Sequence, residues 1–484
     1  MAAAVNNQLH AREVSEALNE VKFSGFHART IITAGMGFFA SAYDLTIIGT
    51  ALALAGPEWK KAFMATHHGP HAVQEFAFLM GLVAAISLAG TFLGGFFFGM
   101  FADKYGRKSV YGIEAILMAI GAIGSAFAIG PISMIIWRTI MGFGIGGDYP
   151  LSGTLMSEYA NRENRGLMVG MVFSCQALGF VVGPIVALTM IASGINHELV
   201  WRISLALGAL PALGVIILRR TMPESPRWLA RAKGRSEEAA AALTRYSDGV
   251  TSAAGKDAVV REPLSKYWVT LLGTAGTWFV LDYAYYGNTV GMPVIIKSVA
   301  PNNTLLVSVA WNVLIFGVFA VPGYVLAFSK CDKWGRKFIQ NLGFIVMGLC
   351  FLLLGSVPSL SHQPWIFVTV FGISYFFTEF GPNVTTYVLS SEVFPVNIRT
   401  TGFGISAGIA KFGAFIGVVL LNPILAGIGF SGGMLISAGM CLVGVILTTL
   451  CIKEPAGKSL EEAGRESNWV QPETAPSSRV AVGV

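Results

Sequence analysis

A chain of 484 residues that is 54% hydrophobic and 12% charged has about half the charge of an ordinary soluble domain, too little to cover a solvated surface. The same balance excludes intrinsic disorder, and 57 glycines without a G-X-Y period exclude a collagen-like rod. A polytopic membrane protein remains. The apolar runs are continuous and about 20 residues or longer, which is the signature of spanning helices and not of barrel strands. In chain order, 1–27 is polar and lacks a signal-peptide layout, so the first span is expected to stay in the membrane. Six spans follow near 28–54, 75–101, 109–129, 131–157, 167–193 and 200–218, giving an N-terminal half at 28–219. The polar stretch 220–266 is expected to be a cytoplasmic central loop with one short helix. Six more spans lie near 268–296, 305–329, 337–357, 364–390, 400–425 and 430–452, giving a C-terminal half at 267–452. The tail 453–484, rich in Pro, Ser and Glu, is expected to be a disordered cytoplasmic tail. The predicted fold class is an all-α polytopic membrane protein of twelve transmembrane helices in two six-helix halves.

The cations set the orientation. Of 33 Lys and Arg residues, 27 fall on the side of the termini and the central loop, Arg219 among them. Lys60, Lys61, Arg202 and Lys297 fall on the other side, and Arg138 and Lys411 fall inside spans. The positive-inside rule then puts both termini in the cytoplasm, which requires an even number of spans. The net charge of +6 is thus a topology signal and implies no nucleic-acid partner. Five cysteines without a CxxC pair indicate neither a disulfide framework nor a zinc site. His67, His68 and His71 lack acid or cysteine neighbours, so no metal and no cofactor is expected.

The two halves repeat each other. Residues 103–108 read D-K-Y-G-R-K after span 2, and 332–337 read D-K-W-G-R-K after span 8. Glu158 with Arg165, and Glu392 with Arg399, share one spacing after spans 4 and 10. Such duplication is the layout of a secondary transporter that rocks around a midplane site. Gly106 and Gly335 permit tight turns, and Asp103, Arg107, Asp332 and Arg336 are candidate gating residues whose pairs form in one state and break in another. These loops, with P-E-S-P-R-W-L at 223–229, resemble the major facilitator superfamily over nearly the whole chain.

Ionisable groups inside a membrane are functional candidates by default. The spans carry Asp44, Glu114, Arg138, Asp148, Asp282, Glu379 and Lys411. Five acids against two bases would repel an anion, so some carboxyls must be protonated for part of a cycle. Arg138 and Asp148 are about 15 Å apart along one helix, so Arg138 is expected to serve an acid elsewhere, such as Asp44 or Glu114. Trp278, Asp282 and Tyr286 recur every four residues and share a helix face. With Tyr149, Gln176 and Asn383 they offer indole, phenol and amide donors beside a carboxyl, a set that can hold a small oxyanion.

G-G-D-Y-P-L-S at 146–152, W-F-V-L-D-Y-A-Y-Y-G at 278–287 and G-P-N-V-T-T at 381–386 resemble the phosphate:proton symporters. That resemblance implies that Tyr149, Gln176, Trp278, Asp282, Tyr286 and Asn383 contact inorganic phosphate. It implies that Asp44, Glu114, Arg138 and Asp148 handle protons, and that Lys411 helps the anion leave. Glu379 departs from the family, which usually has a neutral amide there. The reading is a cell-membrane symporter importing phosphate with protons, for which a monomer suffices. Symport of another small organic anion and a phosphate-binding membrane sensor remain alternatives. No nucleophile elbow, phosphate-cradling loop or metal-ligand set points to an enzyme.

Overall fold

A computed structural model describes residues 13–247, 253, 256–290 and 304–467, and these are helices and short connections. The chain begins with α1 (Val14–Glu20), α2 (Gly25–Met64), α3 (Ala72–Tyr105), α4 (Ile113–Ala126) and α5 (Pro131–Tyr159). It continues through α6 (Arg165–Ala192) and α7 (His197–Thr221). Next come α8 (Ser236–Tyr246), α9 (Trp268–Val290), α10 (305–334), α11 (Arg336–Ser356) and α12 (364–392). The series closes with α13 (Arg399–Cys451) and α14 (Leu460–Ala463).

Local chemistry sets the breaks. Gly106 and Gly335 have φ of 108° and 85°, a region that favours glycine, and so turn α3 and α10 into the helices that follow. Pro131 stands in the first turn of α5, where its missing N–H costs nothing. The last two predicted spans follow each other in α13 with no loop between them, but they are two helices that meet at Gly429, whose φ of 71° is not helical. In α12 a widened π-type turn, Glu379–Asn383, separates Pro364–Thr378 from Val384–Glu392. Pro382 supplies no N–H inside that turn, which loosens the helix there.

Among the described residues, nine helical stretches are long and apolar enough to cross a membrane. Three more helices stop short of that measure for a physical reason. The 29-residue α5 and the 23-residue α9 are long enough but carry polar and aromatic groups along one side. The third, α12, is interrupted by its own π-type turn. The predicted end of the seventh span, 291–296, lies outside the described residues.

Glycines set the closest approaches. A Cβ on Gly142 of α5 would lie 2.0 Å from the Ser87 carbonyl of α3, so the two backbones touch there. A Cβ on Gly404 would lie 2.2 Å from the Gly95 carbonyl, which locks α13 against α3. That second contact joins helices upstream of residue 222 to helices downstream of residue 267.

Two expectations fail on the face that carries most of the cations. Residues 453–467 of the tail are docked, with Glu461 and Glu466 buried and paired to Arg227 and Arg231. Charge pairing outweighs the polar composition that pointed to disorder. The stretch 220–266 is also more than a loop with a helix. Besides α8 it contains a buried turn, Trp228–Ala232. Its Asp257 carboxylate accepts from the Val14 and Ser15 backbone N–H groups at 2.9 and 3.1 Å, capping α1. The tail beyond residue 467 lies outside the described residues.

Candidate substrate and proton site

The centre of the bundle is built around Lys411 of α13. Its Nζ lies 2.8 Å from Asp282 Oδ2 and 2.7 Å from the Tyr286 hydroxyl, both on α9. The four-residue spacing of Trp278, Asp282 and Tyr286 puts them on the α9 face that meets α13. The ammonium also stands over the rings of Tyr286, Tyr149 and Trp278 at 4.1, 4.7 and 5.9 Å, in cation–π geometry. The Tyr149 and Tyr286 hydroxyls are 3.5 Å apart.

Beside this cluster is a small cavity lined by Asp44, Tyr149, Gln176, Tyr286 and Lys411, with Ser87 and Thr91 of α3 on one wall. Several buried polar atoms around the cluster have no hydrogen-bond partner: Gln176 Nε2, Trp278 Nε1, Asp282 Oδ1 and the Tyr387 hydroxyl. Asp282 Oδ1 is an acceptor, faced by the Trp278 N–H short of hydrogen-bond geometry, and the other three atoms can donate. Buried donors left unpaired are costly, so these three near the Lys411 ammonium suit an incoming acceptor. Tyr387, in ring contact with both Tyr149 and Trp278, is a site residue that sequence reasoning missed. Its place one turn after Asn383 in α12 is the signal that would have found it. Asn383 itself is turned elsewhere. Its Nδ2 donates to the Tyr324 hydroxyl at 2.9 Å and to Glu379 Oε2.

The predicted proton-handling residues fall into two groups. Arg138 Nη1 pairs with Asp44 Oδ1 at 2.7 Å, across from α5 to α2, and Nη2 donates to Ser87 at 3.1 Å. Glu114 and Asp148 lie apart from that pair. Both converge on Nη1 of Arg219, at 2.8 and 2.7 Å. The Glu114 alternative for Arg138 is therefore not what the structure adopts.

Arg219, grouped by the cation count with the cytoplasmic stretch, belongs instead to α7. Arg219 is fully buried near the end of α7, its Nη2 donating to the Ala34 carbonyl at 3.3 Å and its guanidinium over the Tyr111 ring. It was hidden because it follows an apolar run and precedes Arg220, the look of a topogenic pair. Ser152 donates to Asp148 Oδ1 at 2.6 Å and reaches Tyr111. Its i+4 spacing from Asp148 made it findable. With Arg219 included, the interior holds five carboxyls and three cations among the described residues.

The repeated loops close one face. Arg107 reaches Glu158 at 3.0 Å and Asp103 at 3.1 Å, and Arg336 reaches Glu392 and Asp332 at 2.8 Å each. Arg399 pairs with Glu158 at 2.9 Å, and Arg165 with Glu392 at 2.8 Å, so each acid binds an arginine from the other side of the molecule. Asp103 accepts from the Thr400 and Thr401 N–H groups at the start of α13. Asp332 accepts from the Gly166 and Leu167 N–H groups at the start of α6. Both acids sit where a helix N-terminus favours negative charge.

Comparison with known proteins adds an independent line. The family described as "Sugar (and other) transporter" matches residues 30–466. The chain is 33% identical over 508 residues to a probable inorganic phosphate transporter 1-6 of Arabidopsis thaliana, covering 94% of this chain and 96% of that protein. It is 34% identical over 509 residues to an inorganic phosphate transporter 1-11 of Oryza sativa subsp. japonica, covering 94% and 90%. Among solved structures, the proton:xylose symporter XylE bound to 6-bromo-6-deoxy-D-glucose superposes with a TM-score of 0.76 at 21% identity, over 91% of this chain and 98% of that one. A partially occluded inward-open form of XylE from E. coli gives 0.72 at 20% identity, over 90% and 100%. At that identity the likeness establishes the major facilitator fold.

Proposed function

Because this chain belongs to the sugar (and other) transporter family, and within it to the inorganic phosphate transporters, we propose that it is a proton-coupled importer of inorganic phosphate working by alternating access. The observation that carries the reading is the ring of unpaired buried donors around Lys411, next to a cavity that Gln176 and Tyr149 line. Gln176 Nε2 and Trp278 Nε1 offer N–H groups, Tyr149 and Tyr286 offer hydroxyls, and Lys411 offers charge. A tetrahedral oxyanion has acceptors on every side and satisfies such a set. Asn383 joins it when its amide leaves Tyr324 and Glu379.

The architecture in this reading is twelve transmembrane helices in two six-helix halves, 28–219 and 267–452. The duplicated loops and the ion pairs that cross between them support it. So do α5, α9 and α12, each of which holds site residues at the expense of hydropathy. The face bearing the docked tail and the cation-rich stretch is cytoplasmic, in a cell membrane. In the described state that face is shut by the Glu158, Glu392, Asp103 and Asp332 contacts. Asp44, Glu114, Arg138 and Asp148, with Arg219, form the proton-handling group. Protonation of Asp282 frees Lys411 for the anion, and Asp282 takes Lys411 back as phosphate leaves inward.

The test is uptake of labelled phosphate into proteoliposomes under an imposed pH gradient, with sulfate and benzoate as competitors. Asp282→Asn and Arg138→Ala are expected to abolish gradient-driven uptake while the protein stays folded. Normal uptake by both variants, or equal competition by benzoate, would overturn the assignment.

A further inference from the structure

The cations in the interior are all engaged, and one carboxyl is left over. Arg138 is held by Asp44 at 2.7 Å, Lys411 by Asp282 at 2.8 Å, and Arg219 by Glu114 and Asp148 at 2.8 and 2.7 Å. Glu379 is fully buried, and no Lys or Arg among the described residues pairs with it. It opens the π-type turn Glu379–Asn383 of α12. Its Oε2 accepts from Asn383 Nδ2, and its Oε1 has no hydrogen-bond partner.

The groups that face it are neutral or like-charged. From α10 comes the Tyr324 hydroxyl, with Gly323 so close that a Cβ there would sit 3.0 Å from the Glu379 Cβ. From α9 come the Tyr285 hydroxyl, short of hydrogen-bond geometry, and farther off the Asp282 carboxyl. From α12 itself come Asn383 and Tyr375. On the α11 side the backbone of Gly343 packs on Gly381, bringing no charge. An ionised carboxylate without a cation is far costlier in such surroundings than the neutral acid. Elsewhere in the interior, Glu114 and Asp148 share the single cation Arg219, so that triad, like Glu379, carries one carboxyl without a cation of its own.

We infer that Glu379 is a further proton-carrying group of the transport cycle, besides Asp282 and the Glu114–Arg219–Asp148 group. This rests on the proposed phosphate symport. Glu379 holds its proton while the turn is buried. When the site opens and water reaches the turn, the carboxyl O–H breaks. The proton passes to water, and the carboxylate left behind is solvated. Reprotonation from the other side restores the neutral acid. Because Asn383 is bonded to Glu379, taking the Asn383 amide for phosphate removes a donor from the carboxyl, which ties this proton to the substrate. The chain then moves one proton more per phosphate than it would with a neutral residue at position 379.

The experiment compares the wild type with Glu379→Gln and Glu379→Asp in two measurements. Infrared difference spectra at neutral pH, taken without transport, are expected to show a protonated-carboxyl C=O band that vanishes in Glu379→Gln and moves in Glu379→Asp. Phosphate accumulation at a fixed, tenfold proton gradient is expected to fall about tenfold in Glu379→Gln, the loss of one coupled proton, and to hold in Glu379→Asp. A band unchanged in both variants, or wild-type accumulation by Glu379→Gln, overturns the inference. If the wild type itself accumulates no phosphate, the transport reading fails, while the infrared result still decides whether Glu379 holds a proton. Where Glu379→Gln does not fold, the band shift in Glu379→Asp decides the same point.

Discussion

The Lys411 ammonium and the Asp282 carboxylate are 2.8 Å apart in the centre of the bundle, so the site's cation is already partnered before any anion arrives. An incoming anion and Asp282 compete for one ammonium, and the competition ends when Asp282 takes a proton. That single contact gives proton–anion coupling a structural basis.

Removing the cation should therefore do two separable things. Lys411→Met leaves Asp282 buried without a counter-charge, and a broken buried pair costs about 3–5 kcal/mol. The apparent Tm in detergent is expected to drop accordingly. Adding Asp282→Asn should restore much of the Tm, because the unpaired charge is gone, without restoring uptake. Thermal unfolding and phosphate uptake of the two variants check this.

Arg219 bridges two acids, so its loss is expected to be harsher than a surface arginine's. Arg219→Gln should abolish uptake and lower stability by roughly 3 kcal/mol or more. In the Glu114→Gln/Arg219→Gln double variant one carboxyl fewer is stranded, and part of the stability should return. A double-mutant cycle on Tm measures the coupling.

The face closed by Glu158 and Glu392 should open when those acids lose their charge. Glu158→Gln/Glu392→Gln weakens Arg107, Arg165, Arg336 and Arg399 contacts together. A shift of about 1.4 kcal/mol multiplies the inward-open population tenfold. Spin labels on the cytoplasmic end of α3 and on the first turn of α13, near Arg399, should report longer distances in the variant, and unchanged distances would count against the gating role.

The docked tail provides a pH prediction. Burial works to raise the Glu461 carboxyl, but Arg227 and Arg231 outweigh it and hold it below the ordinary glutamate value. A depressed carboxyl contributes stability above the unfolded-state value, about 4.3, and loses it as the pH falls through the lower folded-state value. The Glu461 contribution to tail docking is therefore expected to hold through neutral pH and to be lost in stronger acid, while Glu466, which burial pushes up, works the other way as the pH falls. Glu461→Gln should undock the tail at neutral pH. Limited proteolysis of the tail at each pH reads both effects.

Much of this was legible in the residues because spacing is geometry. Trp278, Asp282 and Tyr286 had to share a face, and Arg138 could not reach Asp148 along its own helix. What spacing cannot supply is which face meets which helix. Arg219 looked like one more cytoplasmic cation because hydropathy ends where it begins. Tyr387 looked like filler, and only the packing of α12 brings it against Tyr149 and Trp278. The tail composition favoured disorder, and the arginines that hold it lie more than two hundred residues upstream.

The reciprocal caps have a kinetic meaning. Asp103 holds the first turn of α13, and Asp332 holds the first turn of α6. The seal is thus two modest latches of equal design and not one strong bolt. Their strengths add in the closed state, yet each can let go alone, so unsealing can proceed by two low steps instead of a single high one. A carrier built this way can be tight at rest and still turn over quickly.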